Sequence, residues 1–243
     1  MPASFALGSG YGEAKWIAEE IVLRTSLREG IPGAVVRLGQ VCGDKFGHWN
    51  EKEWFPAMVK SGLFARCLPD IDSVNVSVHV LITRLVADTF SLDCVAQTAA
   101  FIPSYPAARA FIEMRHSSSP VLHLSHSRPV DWTTLMQPIA EELGVPLVPL
   151  ARWVDALTQI ADSENNSGPS RSDVRRNPAL ALLGLFRSWA NATGSQAGPV
   201  SALNISTEKA QSASETLRHL PVLSAEAAKA WVAAWRKSGF LKE

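Results

Sequence analysis

The sequence predicts an α/β fold built on a parallel sheet, and three observations carry that prediction. The segment Tyr11 to Glu29 has helical periodicity and is followed at once by "GAVVRLGQVCG", a short apolar run that reads as a buried strand. A second apolar run, "VLHLSH" from Val121 to His126, precedes another helical stripe. Helix and buried strand in alternation is the rhythm of parallel sheets, whose crossovers cover both faces. Finally, 47 % of the 243 residues are hydrophobic, enough to bury a substantial core.

The elements follow in order. The first helix places Ile17, Ala18, Ile21 and Val22 on one apolar face and stops at Gly30. The strand after it ends at Gly43. "DKFGHWNEKEWFPAMVKSGL" opens as a loop, and a short helix covers Trp54 to Ser61. After the strand at Val121, Asp131 can cap a helix from Trp132 to Leu143. Leu135, Met136, Ile139, Ala140 and Leu143 form its stripe, and Gly144 ends it. "VPLVPL" is extended, because each proline restricts the residue before it. Arg152 to Ala161 reads as helix, and the polar stretch Asp162 to Asp173 as loop. Helices follow at 178–190, 207–217 and 225–238. Ser224 caps the last, and Trp231 and Trp235 share one face of it.

Composition excludes several functions. The formal net charge is zero, so no bulk field draws nucleic acid or an anionic membrane. The three cysteines, Cys42, Cys67 and Cys94, are too scattered for a disulfide framework or a zinc knuckle. His123 and His126 have no third ligand at useful spacing, so no metal site is expected. No apolar stretch approaches the roughly 20 residues of a membrane span, and no signal peptide is recognisable. A reducing cytoplasm is the simplest setting.

One short stretch carries chemistry. In "GYGEAKW", Tyr11 and Lys15 are four apart, so on a helix they project from one face, a turn apart. An ammonium beside a phenol favours the phenolate, and such a tyrosine can give a proton to a carbonyl oxygen as charge develops there. A lone pair at this spacing is most often a surface pair. Its flanks make it more specific: "GYGEAKWIAEEIV" resembles the "GYGxSKWVAE" signature of thioester reductase domains. These are extended short-chain dehydrogenases/reductases that end carboxylic acid reductases, aminoadipate reductases and fungal nonribosomal peptide synthetase-like proteins. "VVRLGQVCGDKFGHWNEKEWFPAMVKSG", "LHLSHSRPVDWTTL", "NPALALLGLF", "STEKAQSASETL" and "WVAAWRKSGFL" resemble later segments of the same family, in order.

The resemblance implies a Rossmann-type sheet with a mostly helical substrate-binding region, and NADPH as hydride source. It implies as substrate an acyl thioester on the phosphopantetheine arm of a carrier domain, reduced to an aldehyde or an alcohol. Carried over, Tyr11 is the proton donor and Lys15 holds the cofactor ribose. Gly39 and Gln40 pass close to the nicotinamide. Trp49, Asn50 and Trp54 line or support the substrate channel, although ordinary packing would also explain the tryptophans. Arg37 is read as an ion-pair residue rather than a ligand.

The sequence also departs from the family. Leu38 stands where the family usually has proline. The Gly-rich turn that cradles a pyrophosphate is not recognisable before Tyr11, so the expectation is the C-terminal part of a reductase, its N-terminal cofactor-binding half absent. Residues 1–75 would be the end of the Rossmann-type core and 92–243 the helical region, with Val95 to Phe101 as a helix. Val76 to Ser91 reads as an insertion or a retained intron. Two alternatives stay open: a non-catalytic docking module for a phosphopantetheinyl carrier domain, or an inactive truncated gene product.

Overall fold

The computed structural model describes residues 10–71, 98–164, 170–191 and 205–242. The segment Val76–Ser91 and the boundaries expected beside it lie outside the described residues.

Helix α1 spans Gly10–Glu29, with Glu13 in its first turn and Arg28 in its last, both favourable to the helix dipole. Gly30 stops it at φ +61°, a left-handed conformation that glycine adopts without penalty. The packed face is not the expected one. Ile17 and Ile21 are 53 % and 60 % exposed, while Trp16, Glu19, Leu23 and Ser26 are half-buried. The reason is a polar contact: Arg37 reaches Glu19 through Nε at 2.9 Å and Nη2 at 2.6 Å, turning the Glu19 side toward the strand that follows.

That strand, β1 (Val35–Leu38), is followed by a break at Gly39 and Gln40 and then by β2 (Val41–Cys42). The next elements are α2 (Trp54–Ala65) and β3 (Leu68–Asp70). Helix α2 is longer than expected and closes at Arg66 in the left-handed region. A Cβ on Gly62 would stand 3.0 Å from Leu68 Cδ2, so glycine there lets α2 approach β3 closely.

Beyond the undescribed segment come β4 (Thr98–Ala99), β5 (Ile102–Pro103) and α3 (Ser104–Glu113). This corrects the helix expected over Val95 to Phe101: residues 98–99 are strand, and helix begins only at Ser104. Pro103 disfavours helical backbone at Ile102, whose side chain is fully buried. After β6 (Val121–Leu124) and β7 (Val130–Asp131), helix α4 (Trp132–Leu143) ends at Gly144 with φ +66°. Asp131 occupies the N-cap position, but its side chain makes no capping hydrogen bond, so the expected cap is positional only.

Strand β8 (Leu147–Pro149) leads into α5 (Leu150–Glu164). Helix α6 (Arg171–Arg176) begins inside the expected 162–173 loop. Ser170 and Asp173 form a reciprocal capping box, a signal legible in the Ser-x-x-Asp spacing. A 3-10 turn at Pro178–Leu182 precedes α7 (Leu183–Asn191). The helix expected over 207–217 is two short ones, α8 (Glu208–Ala213) and α9 (Glu215–Arg218), parted at Ser214. Its hydroxyl accepts from Leu217 N–H. The last helix, α10, is Ala225–Ser238.

The fold is mixed α/β and rich in helix. β1 pairs in parallel with β6, β2 with β5, and β3 with β8, while β4 and β7 are antiparallel. Two cores hold it. The larger joins Trp49, Phe55, Trp132, Trp153, Trp231 and Trp235. The smaller packs Ile102, Met114, Leu122, Leu124 and Leu217 between the β1–β6 pair and α3, α8 and α9. Among the described residues no helix is long and apolar enough to cross a membrane.

Candidate functional site

Parallel strands bring their carboxyl ends to one edge, where open α/β sheets hold ligands. β1 and β6 are paired to their last residues, Leu38 and Leu124, and Gly39 N–H extends the ladder by donating to Leu124 O at 2.9 Å. A Cβ on Gly39 would lie 2.8 Å from Ser125 Oγ, so the close approach of these strand ends requires glycine. Ser125 Oγ donates in turn to Ala100 O at 3.0 Å.

Gln40 follows Gly39 and leaves the ladder. Its side-chain Nε2 donates to Glu53 Oε2 at 2.7 Å and to Val41 O at 2.7 Å. Its Oε1 accepts from Trp54 Nε1 at 2.7 Å. Trp49 Nε1 donates to Glu53 Oε2 at 3.1 Å. One network thus joins Gln40, Trp49 and Trp54, three residues expected at the site, through Glu53, which the sequence reading missed. Its signal was an acidic residue in a tryptophan-rich loop, Trp49-Asn-Glu-Lys-Glu-Trp54.

Trp49 is buried, stacked on Phe55 with ring centroids 4.8 Å apart and edge-on to Trp231 at 5.0 Å. Trp54 is half-buried against Phe55, Phe101 and Trp189. Asn50 is exposed and shapes a turn: its Oδ1 accepts from Lys52 N–H at 3.2 Å and its carbonyl from Glu53 N–H at 3.1 Å. Asn50 and Trp49 also line a groove of about 210 Å³ with Ala234, Trp235 and Ser238 of α10.

Tyr11 lies in the first turn of α1, and Lys15 is exposed one turn later. Arg37 is an ion-pair residue, as read from the sequence. The Arg37 guanidinium hydrogen-bonds Glu19 and holds its carboxyl below the usual range, while Glu19 raises the arginine. His126 is a structural group. Its Nδ1 accepts from Arg128 N–H at 3.0 Å, so Nε2 carries the proton given to Pro221 O at 2.9 Å. Burial holds its pKa below the usual value, consistent with a neutral ring. Burial likewise raises the Cys42 thiol well out of the nucleophilic range.

A model of an NAD-binding family described as "Male sterility protein" matches residues 3–99. The adenylate-forming reductase Nps10 of Heterobasidion annosum is 28 % identical over 244 residues, covering 98 % of this chain and 20 % of that protein. The carboxylic acid reductase of Neurospora crassa is 25 % identical over 237 residues, 96 % of this chain and 20 % of its own length. The chain therefore spans about a fifth of these curated relatives. In fold it is similar to the terminal R domain from the myxalamid PKS-NRPS biosynthetic pathway. That match has a TM-score of 0.68 at 19 % identity, covering 97 % of this chain and 52 % of that one. A thiolation-reductase di-domain from an archaeal non-ribosomal peptide synthetase matches with a TM-score of 0.61 at 12 % identity, covering 97 % and 42 %.

Proposed function

We propose that this chain, a thioester reductase-type sequence by its relatives and its fold, serves the NADPH-dependent reduction of a carrier-bound acyl thioester to an aldehyde or alcohol. The reading is supported chiefly by an order of parts: the Tyr-x-x-x-Lys helix, then β1 ending in Gly39–Gln40, then the tryptophan loop, in a chain similar to reductases along nearly its whole length. The parallel strand ends and the amide carbonyl of Gln40 fit a nicotinamide, for which NADPH would supply the hydride.

Within that division of labour, Tyr11 would hold the proton that passes to the thioester carbonyl oxygen. Lys15 would favour the phenolate that remains and would bind the ribose hydroxyls. Gly39 and Gln40 would border the nicotinamide. Trp49 and Trp54 would support the wall of the acyl channel, with Asn50 at its mouth. The partner would be a phosphopantetheinyl carrier domain, in the cytoplasm. Residues 1–75 would close the reductase core and 92–243 would form the substrate-binding region. Whether 76–91 belongs to the mature protein is read from the spliced transcript.

The test follows NADPH absorbance with an acyl thioester of N-acetylcysteamine. It uses this chain and, in parallel, the chain extended by any coding sequence continuous with it upstream. The expected result is NADPH oxidation with aldehyde formed, and loss of about 10²- to 10⁴-fold in kcat for Tyr11→Phe. Equal rates for wild type and Tyr11→Phe would overturn the role of Tyr11. Thioester binding without NADPH oxidation in either form would favour the docking module instead.

A further inference from the structure

We infer that Glu53 is a positioning residue that locks the Gln40 amide in one orientation, so that the site recognises an amide N–H group on its ligand. The inference rests on the reductase reading for the identity of that ligand, but the geometry stands by itself.

A glutamine amide has two ends of nearly equal shape and opposite chemistry. Here its neighbours leave no ambiguity. The Trp54 indole N–H can only donate, so it requires Gln40 Oε1. The carboxylate of Glu53 and the carbonyl of Val41 can only accept, so both require the Gln40 NH₂ group. A flipped amide would set N–H against N–H and oxygen against carboxylate, losing all three contacts. Glu53 is itself anchored, because Oε2 also accepts from the Trp49 indole.

The same bonds decide what is left for a ligand. Both amide hydrogens of Gln40 are used, and so are the indole N–H groups of Trp49 and Trp54. What remains among the described residues is one lone pair on Gln40 Oε1 and the second oxygen of Glu53. The cluster offers acceptors and a negative charge, and no donor. It therefore favours an N–H group and disfavours a phosphate. In the reductase reading two ligand groups present amide N–H: the carboxamide of nicotinamide and the amides of a pantetheine arm.

The experiment changes the ligand before it changes the protein. Binding is read by tryptophan fluorescence, using four probes. One pair is a hexanoyl thioester of N-acetylcysteamine and its N-methylated counterpart. The other is nicotinamide mononucleotide and its 3-acetylpyridine analogue, which lacks the amide. The probe with the N–H should bind about tenfold more tightly in one pair, and the pair that discriminates identifies the ligand group. Glu53→Ala, which leaves the Trp54 and Val41 contacts in place, should reduce the discrimination, and Glu53→Asp should restore part of it. The indole N–H resonance of Trp49 should move in Glu53→Ala, and that of Trp54 in Gln40→Leu. Binding without discrimination in both pairs would overturn the inference and leave the reductase reading intact. Failure of every probe to bind would overturn both.

Discussion

Helices α1 and α10 have similar apolar content, but only α10 gathers it on one face, and the fold treats them differently. In α10, Ala228, Trp231, Val232 and Trp235 recur at i, i+3, i+4 and i+7, and all are buried. Trp49 and α4 close over them. In α1 the apolar residues Ile17, Ile21 and Leu27 are exposed, and the helix meets β1 through the Glu19–Arg37 ion pair. The difference teaches that apolar residues commit a helix to the core where they converge on one face, as in α10, and leave the covered face open where they are spread around it, as in α1. One end of the molecule is held by aromatic packing, and the helix bearing Tyr11 and Lys15 by a partly exposed charge pair.

The largest expected effect is in the packed region. Trp231→Ala removes a fully buried indole that contacts Trp49 and Phe55, and should cost about 3–5 kcal/mol in urea unfolding. A cost below ~1 kcal/mol would erase the contrast with α1. Next is Gly47→Ala. Gly47 has φ +86°, and a Cβ there would stand 2.1 Å from Ala230 O on α10, so the loop must lift. The expected loss is about 1–3 kcal/mol, read as a lower Tm.

A pH-dependent contact sharpens the comparison from the smaller core. Glu113 accepts from Ser214 Oγ at 2.6 Å, Thr216 Oγ1 at 2.6 Å and Thr216 N–H at 3.0 Å, tying α3 to the start of α9. These bonds, that from Ser214 foremost, hold its carboxyl down to about 2 from an ordinary value of 4.5. A depressed carboxylate stabilises the fold above its unfolded pKa, and that contribution fades as pH falls from 4.5 through about 2. The gap in urea midpoint between wild type and Glu113→Gln should thus be full at neutral pH and shrink across that window. A gap that stayed constant would remove the titration from the account. The smallest effect belongs to α1. Glu19→Gln should cost no more than about 1 kcal/mol, because both side chains keep solvent contact, and salt should erase part of it.

The candidate site was half legible. Gln40, Trp49 and Trp54 were singled out from motifs, and the fold joins them. Glu53, which makes the junction, carried no motif. A carboxylate's hydrogen-bond partners lie on other elements, and linear spacing does not encode them. The capping box at Ser170–Asp173 was legible and overlooked, because the polar run around it resembles loop.

By itself, the sequence determined the elements whose rules are local. These include the extent of α1 and its glycine stop, the apolar strands at Val35 and Val121, the α4 stripe ending at Gly144, and the buried face of α10. Backbone preference and period act within a few residues, so they can be read from the chain. Only the tertiary structure decided which face of α1 packs, that Thr98–Ala99 is strand and not helix, and which end of the Gln40 amide faces Glu53. Those outcomes depend on partners many residues away, whose positions exist only once the chain has folded.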